Sequence, residues 1–487
     1  MVNDRVGVAA VRGVFWTGLG QILRQIVQVA GSIALARLLV PDDFGLLGMA
    51  MFFVGIGQLF ADFGIGSAII HTRSDDRVVW SSCFWLNLGI GAVLALLVLI
   101  ASPLIAAFFK RVDLVPLVAV LSLNLLLAAF QVIPSALLAR DMRFADIARA
   151  QVLGSLSGAL LAVTLAWWGA GVWALVAQPI VGSTVGLLIM LRATHWRPHL
   201  EYSWPKVAPL ARFSSALLAT NLVGYANRNV DSLLVGRFLG PGPLGLYSMA
   251  IQLMVYPLQQ VSSVIVRVLF PTLVQIRDDL PRLRAAYLRA VGGIALITFP
   301  MMGGLFAVAD DFVAIVFGPD WADMAPVLKV VAWLGMMQSI GTTVGTVYLS
   351  TGKPEVALRV SLIGAPLLIV GMASGLYWGI LGVATGYAIA SFAFFYYSIV
   401  QAFRLIHLKI AELHEVIVRP LLATLAMVGV VATAVSLLQG LAPAYRLGSA
   451  VGIGILAYLA FSLAINRRQL ADILSTVRSA RRMTPPQ

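Results

Sequence analysis

The sequence predicts an all-α polytopic membrane protein with fourteen transmembrane helices: two six-helix pseudo-repeat lobes followed by two C-terminal helices. Three observations predict it. Of 487 residues, 60% are hydrophobic and only 11% charged, with a mean hydropathy of +0.93, whereas a soluble globular domain carries about 25% charged residues. The apolar runs are about 20 residues or longer, the length of a helix crossing a bilayer and not of a barrel strand. Finally, residues 36–50 and 236–250 match without a gap at Arg37/Arg237, Leu39/Leu239, Pro41/Pro241, Gly45/Gly245, Leu46/Leu246, Met49/Met249 and Ala50/Ala250.

The runs fall at roughly 13–36, 44–70, 79–108, 114–138, 147–168, 171–191, 208–236, 244–270, 288–309, 325–350, 357–377, 379–403, 416–438 and 446–465. The first continues for over twenty residues and contains Arg24, so it reads as a first transmembrane helix and not as a cleaved signal. If the N-terminus is cytoplasmic, 25 Lys and Arg lie in inside segments and five outside (Arg37, Lys110, Arg111, Arg237 and Arg446). That bias places both termini inside. The loop 310–323, with Asp310, Asp311, Asp320 and Asp323 and no basic residue, then falls outside. The net charge of +13 follows from the same cytoplasmic loops and does not call for nucleic acid.

A long cytoplasmic connection, 192–207, follows helix 6. The expected division is an N-lobe over 1–195, a C-lobe over 196–405, and helices 13–14 with a basic cytoplasmic tail over 406–487. A second echo agrees with it: WGAGVWAL at 168–175 resembles WGILGVAT at 378–385 with one insertion. Because six is even, the two lobes share an orientation and would be related by an axis along the membrane normal.

With Arg149, Arg212, Arg289, Arg359, Arg419 and Arg446 at span ends counted with the flanking loops, six formal charges remain inside predicted spans: Arg24, Arg228, Arg267, Lys329, Asp62 and Asp231. A charge at mid-bilayer costs roughly 2.5–3.5 kcal/mol on insertion scales, so each needs a cavity or a partner. Arg267 and Lys329 lie near span ends and are expected to snorkel. Arg24 has Gly20, Gln21, Val27 and Gln28 at the i±3 and i±4 positions and no local acid. In the repeat frame Arg228 matches Gln28, one turn from Arg24, which puts the two arginines on equivalent helices. Guanidinium forks suit phosphate oxygens. With Gln28, Asn221, Asn227 and Asn229, and with Gln21 and Gln25 beside them, the pair would suit a pyrophosphate bearing sugars. A structural alternative pairs Arg228 with Asp231 at i+3. Asp62 and Asp231 are candidate coupling or charge-pair residues.

The lone Cys83 excludes a disulfide framework, and no histidine pair has a metal-binding spacing with a carboxylate partner. No phosphate-binding glycine loop ending in Lys-Ser or Lys-Thr is present, so no nucleotide motor is expected. No cofactor and no metal is expected.

Five runs, LARLLVPDDFGLLGMAMFFVGIGQLFADFGIGSAII (35–70), PSALLARDMRF (134–144), DSLLVGRFLGPGPLGLYSMA (231–250), RVLFPTLVQIRDDLPRLRAAYLRAV (267–291) and FGPDWADMAPVLKVVAW (317–333), resemble the polysaccharide-transport branch of the MOP flippase superfamily. The resemblance is to Wzx-type lipopolysaccharide or exopolysaccharide flippases, especially the colanic-acid-like subgroup, and covers most of the chain in order. It implies a protein of the bacterial inner membrane whose two six-helix lobes form a V. It also implies alternating-access transport of undecaprenyl-pyrophosphate-linked oligosaccharide to the periplasmic leaflet, with helices 13 and 14 offering a groove for the polyprenyl tail. The expected partners are the lipid-linked oligosaccharide, membrane lipids and the polysaccharide polymerase machinery, with a monomer as the transporting species. Two other readings stay open: a cation-coupled small-molecule exporter of the same superfamily, and a membrane glycosyltransferase or ligase, for which loop 310–323 is the one outer candidate.

Overall fold

In lipid a backbone N–H or C=O has no water to bond, so a spanning chain must satisfy its polar backbone within helices or a closed barrel. This chain does so with helices. The computed structural model describes residues 2–62, 76–205, 222, 224, 225 and 229–467; of these, the side chains at 2–12, 14, 15, 61 and 62 are not described. Among the described residues no strand occurs and twelve stretches are long and apolar enough to cross a membrane. Three of them, Leu114–Arg140, Met324–Ser350 and Pro354–Ile406, are each divided into two helices, and in Pro354–Ile406 both are long enough to span. The expected span at 208–236 lies mostly outside the described residues; its end, 229–238, is helical.

By contacts the chain divides into two compact units, Met1–Gly245 and Leu246–Gln487. The first contains α1 (Val2–Leu38), α2 (Pro41–Asp62), α3 (Arg77–Phe109), α4 (Leu114–Leu121), α5 (Leu123–Arg140), α6 (Phe144–Trp167), α7 (Val172–Thr194) and the 229–238 helix. Here α1 packs on α6, α6 on α7, α3 on α5, and α5 on α7. The expected span 114–138 is interrupted at Ser122, whose hydroxyl donates to Ala119 O at 2.7 Å. At the end of α6, Trp168 is exposed and Gly169 turns the chain with φ +82°.

Helix α8 (Pro241–Gln275) begins in the first unit and continues into the second. The second unit adds α9 (Leu280–Ala307), α10 (Ala309–Val316), α11 (Met324–Gly341), α12 (Val344–Ser350), α13 (Pro354–Gly375), α14 (Gly379–Ile406), α15 (Ile410–Leu437) and α16 (Pro443–Ile465). Within it α13 packs on α14, α9 on α11 and α15, and α15 on α16. The break between α11 and α12 lies in a buried hydroxyl cluster: Thr298 Oγ1 lies 2.9 Å from Ser339 Oγ, and Thr343 Oγ1 3.1 Å from Tyr287 OH.

The echoes in the sequence are echoes in conformation. Leu39 N donates to Leu35 O at 2.9 Å, and Leu239 N to Val235 O at 2.8 Å. Leu46 and Leu246, Met49 and Met249, and Ala50 and Ala250 are all buried. The second echo behaves likewise: Trp378 is exposed and Gly379 has φ +69°, as at Trp168–Gly169. Two helices also close on a left-handed histidine, α7 on His195 and α14 on His407, both with φ 51°. Nearby carbonyls at these ends receive an arginine, Ala193 O from Arg143 at 2.9 Å and Ile406 O from Arg284 at 2.7 Å. A cation near a helix C-terminus offsets the partial negative charge of its last carbonyls.

The matched glycines permit one close crossing inside the first unit. A Cβ on Gly45 would strike Pro241 O, and a Cβ on Gly245 would strike Pro41 O. The first turns of α2 and α8 therefore touch backbone to backbone, reciprocally, at residues that correspond in the repeat.

Candidate functional site

The site expected from sequence starts on α1. Gly20 of α1 lies against Ala148 of α6, and Gly31 against Ala159, so the two helices run parallel with a constant offset. At about 100° per residue, Gly20, Arg24 and Gly31 share one stripe of α1. Arg24 is therefore on the α6-facing side, level with Val152, where Gln151 and Ser155 are the nearby polar residues of α6. It is half-buried. Its Nη2 donates to Gln21 Oε1 at 3.2 Å, while its buried Nε has no hydrogen-bond partner among the described residues. The buried Nε2 of Gln25 is likewise unpartnered among the described residues. Gln28 follows one turn on and is half-buried. Further along α1, Gln178 of α7 has its Nε2 3.9 Å from where a Gly31 Cβ would sit. Polar groups in a membrane helix normally find partners. The unspent donors of Arg24 and Gln25 suit anionic or hydroxyl-rich oxygen.

Gln178, Gln151 and Ser155 are absent from the sequence-derived set. They are uncharged; the offset between α1 and α6 brings Gln151 and Ser155 to the level of Arg24, while Gln178 lies about two turns further along α1, beside Gly31.

The second part of the expected site is the helix ending at 238. Asn221, Asn227 and Arg228 lie outside the described residues, as does the side chain of Asp62 at the end of α2. Asn229 Nδ2 donates to Tyr225 O at 2.9 Å, so its amide is engaged by the backbone. Asp231 Oδ1 accepts from Ser232 N at 2.7 Å. Tyr225 OH lies 3.1 Å from Phe52 O and 3.2 Å from Met51 O, bonding it to α2.

The acidic loop is mostly structured. Asp310 accepts from Lys329 Nζ at 2.6 Å, so Lys329 is ion-paired at its span end. Asp311 receives Arg446 in a two-pronged contact, Nε to Oδ2 at 2.7 Å and Nη2 to Oδ1, which ties α16 to α10. Two of the four carboxylates are thus committed to packing. Among the described residues no group of three or more His, Cys, Asp or Glu is placed to hold a metal.

Residues 34–326 match the family model described as polysaccharide biosynthesis protein. The chain belongs to this family. Its relatives include the lipopolysaccharide biosynthesis protein WzxC of Escherichia coli K12, 29% identical over 77% of each chain. The teichuronic acid biosynthesis protein TuaB of Bacillus subtilis 168 is 28% identical over 92% of this chain and 94% of its own. Among solved structures, the lipid II flippase MurJ in an inward closed conformation superposes with a TM-score of 0.76 at 15% identity, over 93% of this chain and 99% of its own. An inward-facing MATE multidrug transporter of the MOP superfamily gives 0.60 at 14% identity, over 78% and 95%. The family member described here thus has the all-α transporter fold that MurJ and the MATE proteins share.

Proposed function

We propose that this protein is a flippase that carries polyprenyl-pyrophosphate-linked oligosaccharide units across the bacterial inner membrane for surface or exopolysaccharide synthesis. The observation that carries the proposal is Arg24: a cation on a spanning helix, with donors unspent and glutamines around it, in a chain of the polysaccharide biosynthesis family. Arg24 holds the pyrophosphate. Gln28, with Gln21, Gln25 and Gln178, receives sugar hydroxyls, and Arg228, Asn221, Asn227 and Asn229 complete the site from the second repeat. The lobes 1–195 and 196–405 rock about the site, helices 13–14 over 406–487 take the polyprenyl tail, and the sugar passes through while the tail stays in lipid. With no nucleotide-binding loop, an ion gradient or the membrane potential drives the cycle, and Asp62 and Asp231, the two acids of the predicted spans, couple it. Both termini face the cytoplasm, the protein works as a monomer, and the polymerase machinery receives its product.

The test is a deletion strain carrying an inducible copy. On depletion, lipid-linked oligosaccharide accumulates with its sugar inaccessible from the periplasm, as read by mass spectrometry after surface glycosidase treatment. Unchanged lipid-linked pools would defeat the proposal. Raised sensitivity to cationic dyes in their place would favour the exporter reading, which the same fold accommodates.

A further inference from the structure

Away from that site, α2 and α3 enclose an apolar groove of about 440 Å³ lined by Phe53, Phe60, Leu97, Ala101, Leu104 and Phe108 among others. Its size is that of a ligand pocket. Exposed apolar surface on a spanning helix is ordinary, and the groove alone would say only that lipid is nearby. Its end is what sets it apart. The Arg237 guanidinium carbon stands 5.4 Å from the ring centroid of Phe108, a lining residue, in cation–π contact. Its buried Nη1 has no hydrogen-bond partner among the described residues. Lys110, which caps α3 with φ 57°, is exposed at the same helix end, and no ion pair forms at it among the described residues. Arg111 beside it is bonded to Asp113 at 3.2 Å. The helix carrying Arg237 is seated there by Gly236, whose Cβ would come within 3.0 Å of Phe109 and 3.1 Å of Met49.

We propose that this groove holds one acyl chain of an anionic phospholipid, phosphatidylglycerol or its like, whose phosphate is bound by Arg237 and Lys110. The chemistry is complementary at both ends: hydrocarbon against phenylalanine and leucine, phosphate oxygen against guanidinium and ammonium. The length agrees as well. From Leu94 to Phe108 the lining runs about 21 Å at about 1.5 Å per residue, against about 15 Å for half of the roughly 30 Å hydrocarbon core. The groove is thus longer than one leaflet and shorter than the whole core, long enough to receive an acyl chain along its length. Because Arg237 is in the last turns of the helix that contains Asn229 and Asp231, a bound lipid would tie that helix to α3. The proposal does not depend on what the protein transports.

The test uses the full chain in detergent, offered equimolar phosphatidylglycerol and phosphatidylcholine of matched chains, with native mass spectrometry as the readout. One phosphatidylglycerol is expected to be retained about tenfold in preference. Arg237→Gln should bring the preference near unity, and Ala101→Phe, which fills the groove and leaves the charge, should reduce retention of both lipids. Equal retention by the unaltered protein, or an unchanged preference in Arg237→Gln, overturns the proposal. So does competition by glycerol phosphate as strong as by the whole lipid, which marks a free-anion site. Preferential displacement by polyprenyl phosphate overturns it too, by assigning the groove to the transported lipid. If either variant melts well below the parent, the comparison of the three ligands on the parent protein decides alone.

Discussion

Arg24 illustrates how much one residue can say. Its charge inside an apolar run, with no acid at i±3 or i±4, was readable without coordinates, because the cost of burying an unpaired cation makes such a residue conspicuous. The structure adds that its neighbours do not use up its donors. Charge-assisted hydrogen bonds contribute about 1.5–3 kcal/mol, so Arg24→Ala is expected to cut polymer output at least about tenfold at normal protein levels. Arg24→Lys should restore only part of it, since an ammonium cannot make the forked contact. Output unchanged in Arg24→Ala, measured as polymer per cell against immunoblotted protein, would remove Arg24 from the site. Gln178 and the Arg237–Phe108 contact were not readable in this way. Neither residue is anomalous in its own segment, and each acquires meaning from a helix distant in sequence.

At the scale of elements, hydropathy located the spans because a membrane helix must be apolar along about 20 residues. The interruptions at Ser122 and at Thr342–Thr343 escaped it. Averaging over a window the length of a span blurs a break of one or two residues, and serine and threonine can satisfy the freed carbonyls locally, as Ser122 and Thr343 do here. The repeat gave Gly45 and Gly245 as identities without a reason; the reason is the backbone crossing of α2 and α8. Gly45→Leu is expected to destabilise by overpacking, about 1–3 kcal/mol or more given backbone on the other side. Gly89→Leu, at a glycine of α3 with nothing within 4 Å of its would-be Cβ, should be tolerated. Thermal survival of the two variants in detergent, followed by size-exclusion chromatography, checks the contrast; equal survival would show that the crossing can open without cost.

For the whole molecule, the distribution of 25 basic residues against five predicts that both termini lie in the cytoplasm. With Cys83→Ser as background, Glu201→Cys and Asp320→Cys supply single thiols at exposed positions. A membrane-impermeant maleimide applied to intact spheroplasts should label the Asp320→Cys protein and spare Glu201→Cys until the membrane is opened. The reverse pattern would invert the topology.

The sequence by itself determined that the chain spans a membrane many times, that its helices repeat, and where intramembrane charge lies. All three are properties of composition and spacing along one strand, and the bilayer reads them segment by segment. Tertiary structure alone decided what those features touch: that Asp310 and Asp311 are committed to Lys329 and Arg446, that Arg24 faces α6 with donors to spare, and that Arg237 stands at the end of an apolar groove. Such contacts join residues up to 135 positions apart, and they depend on offsets between helices that no local pattern records.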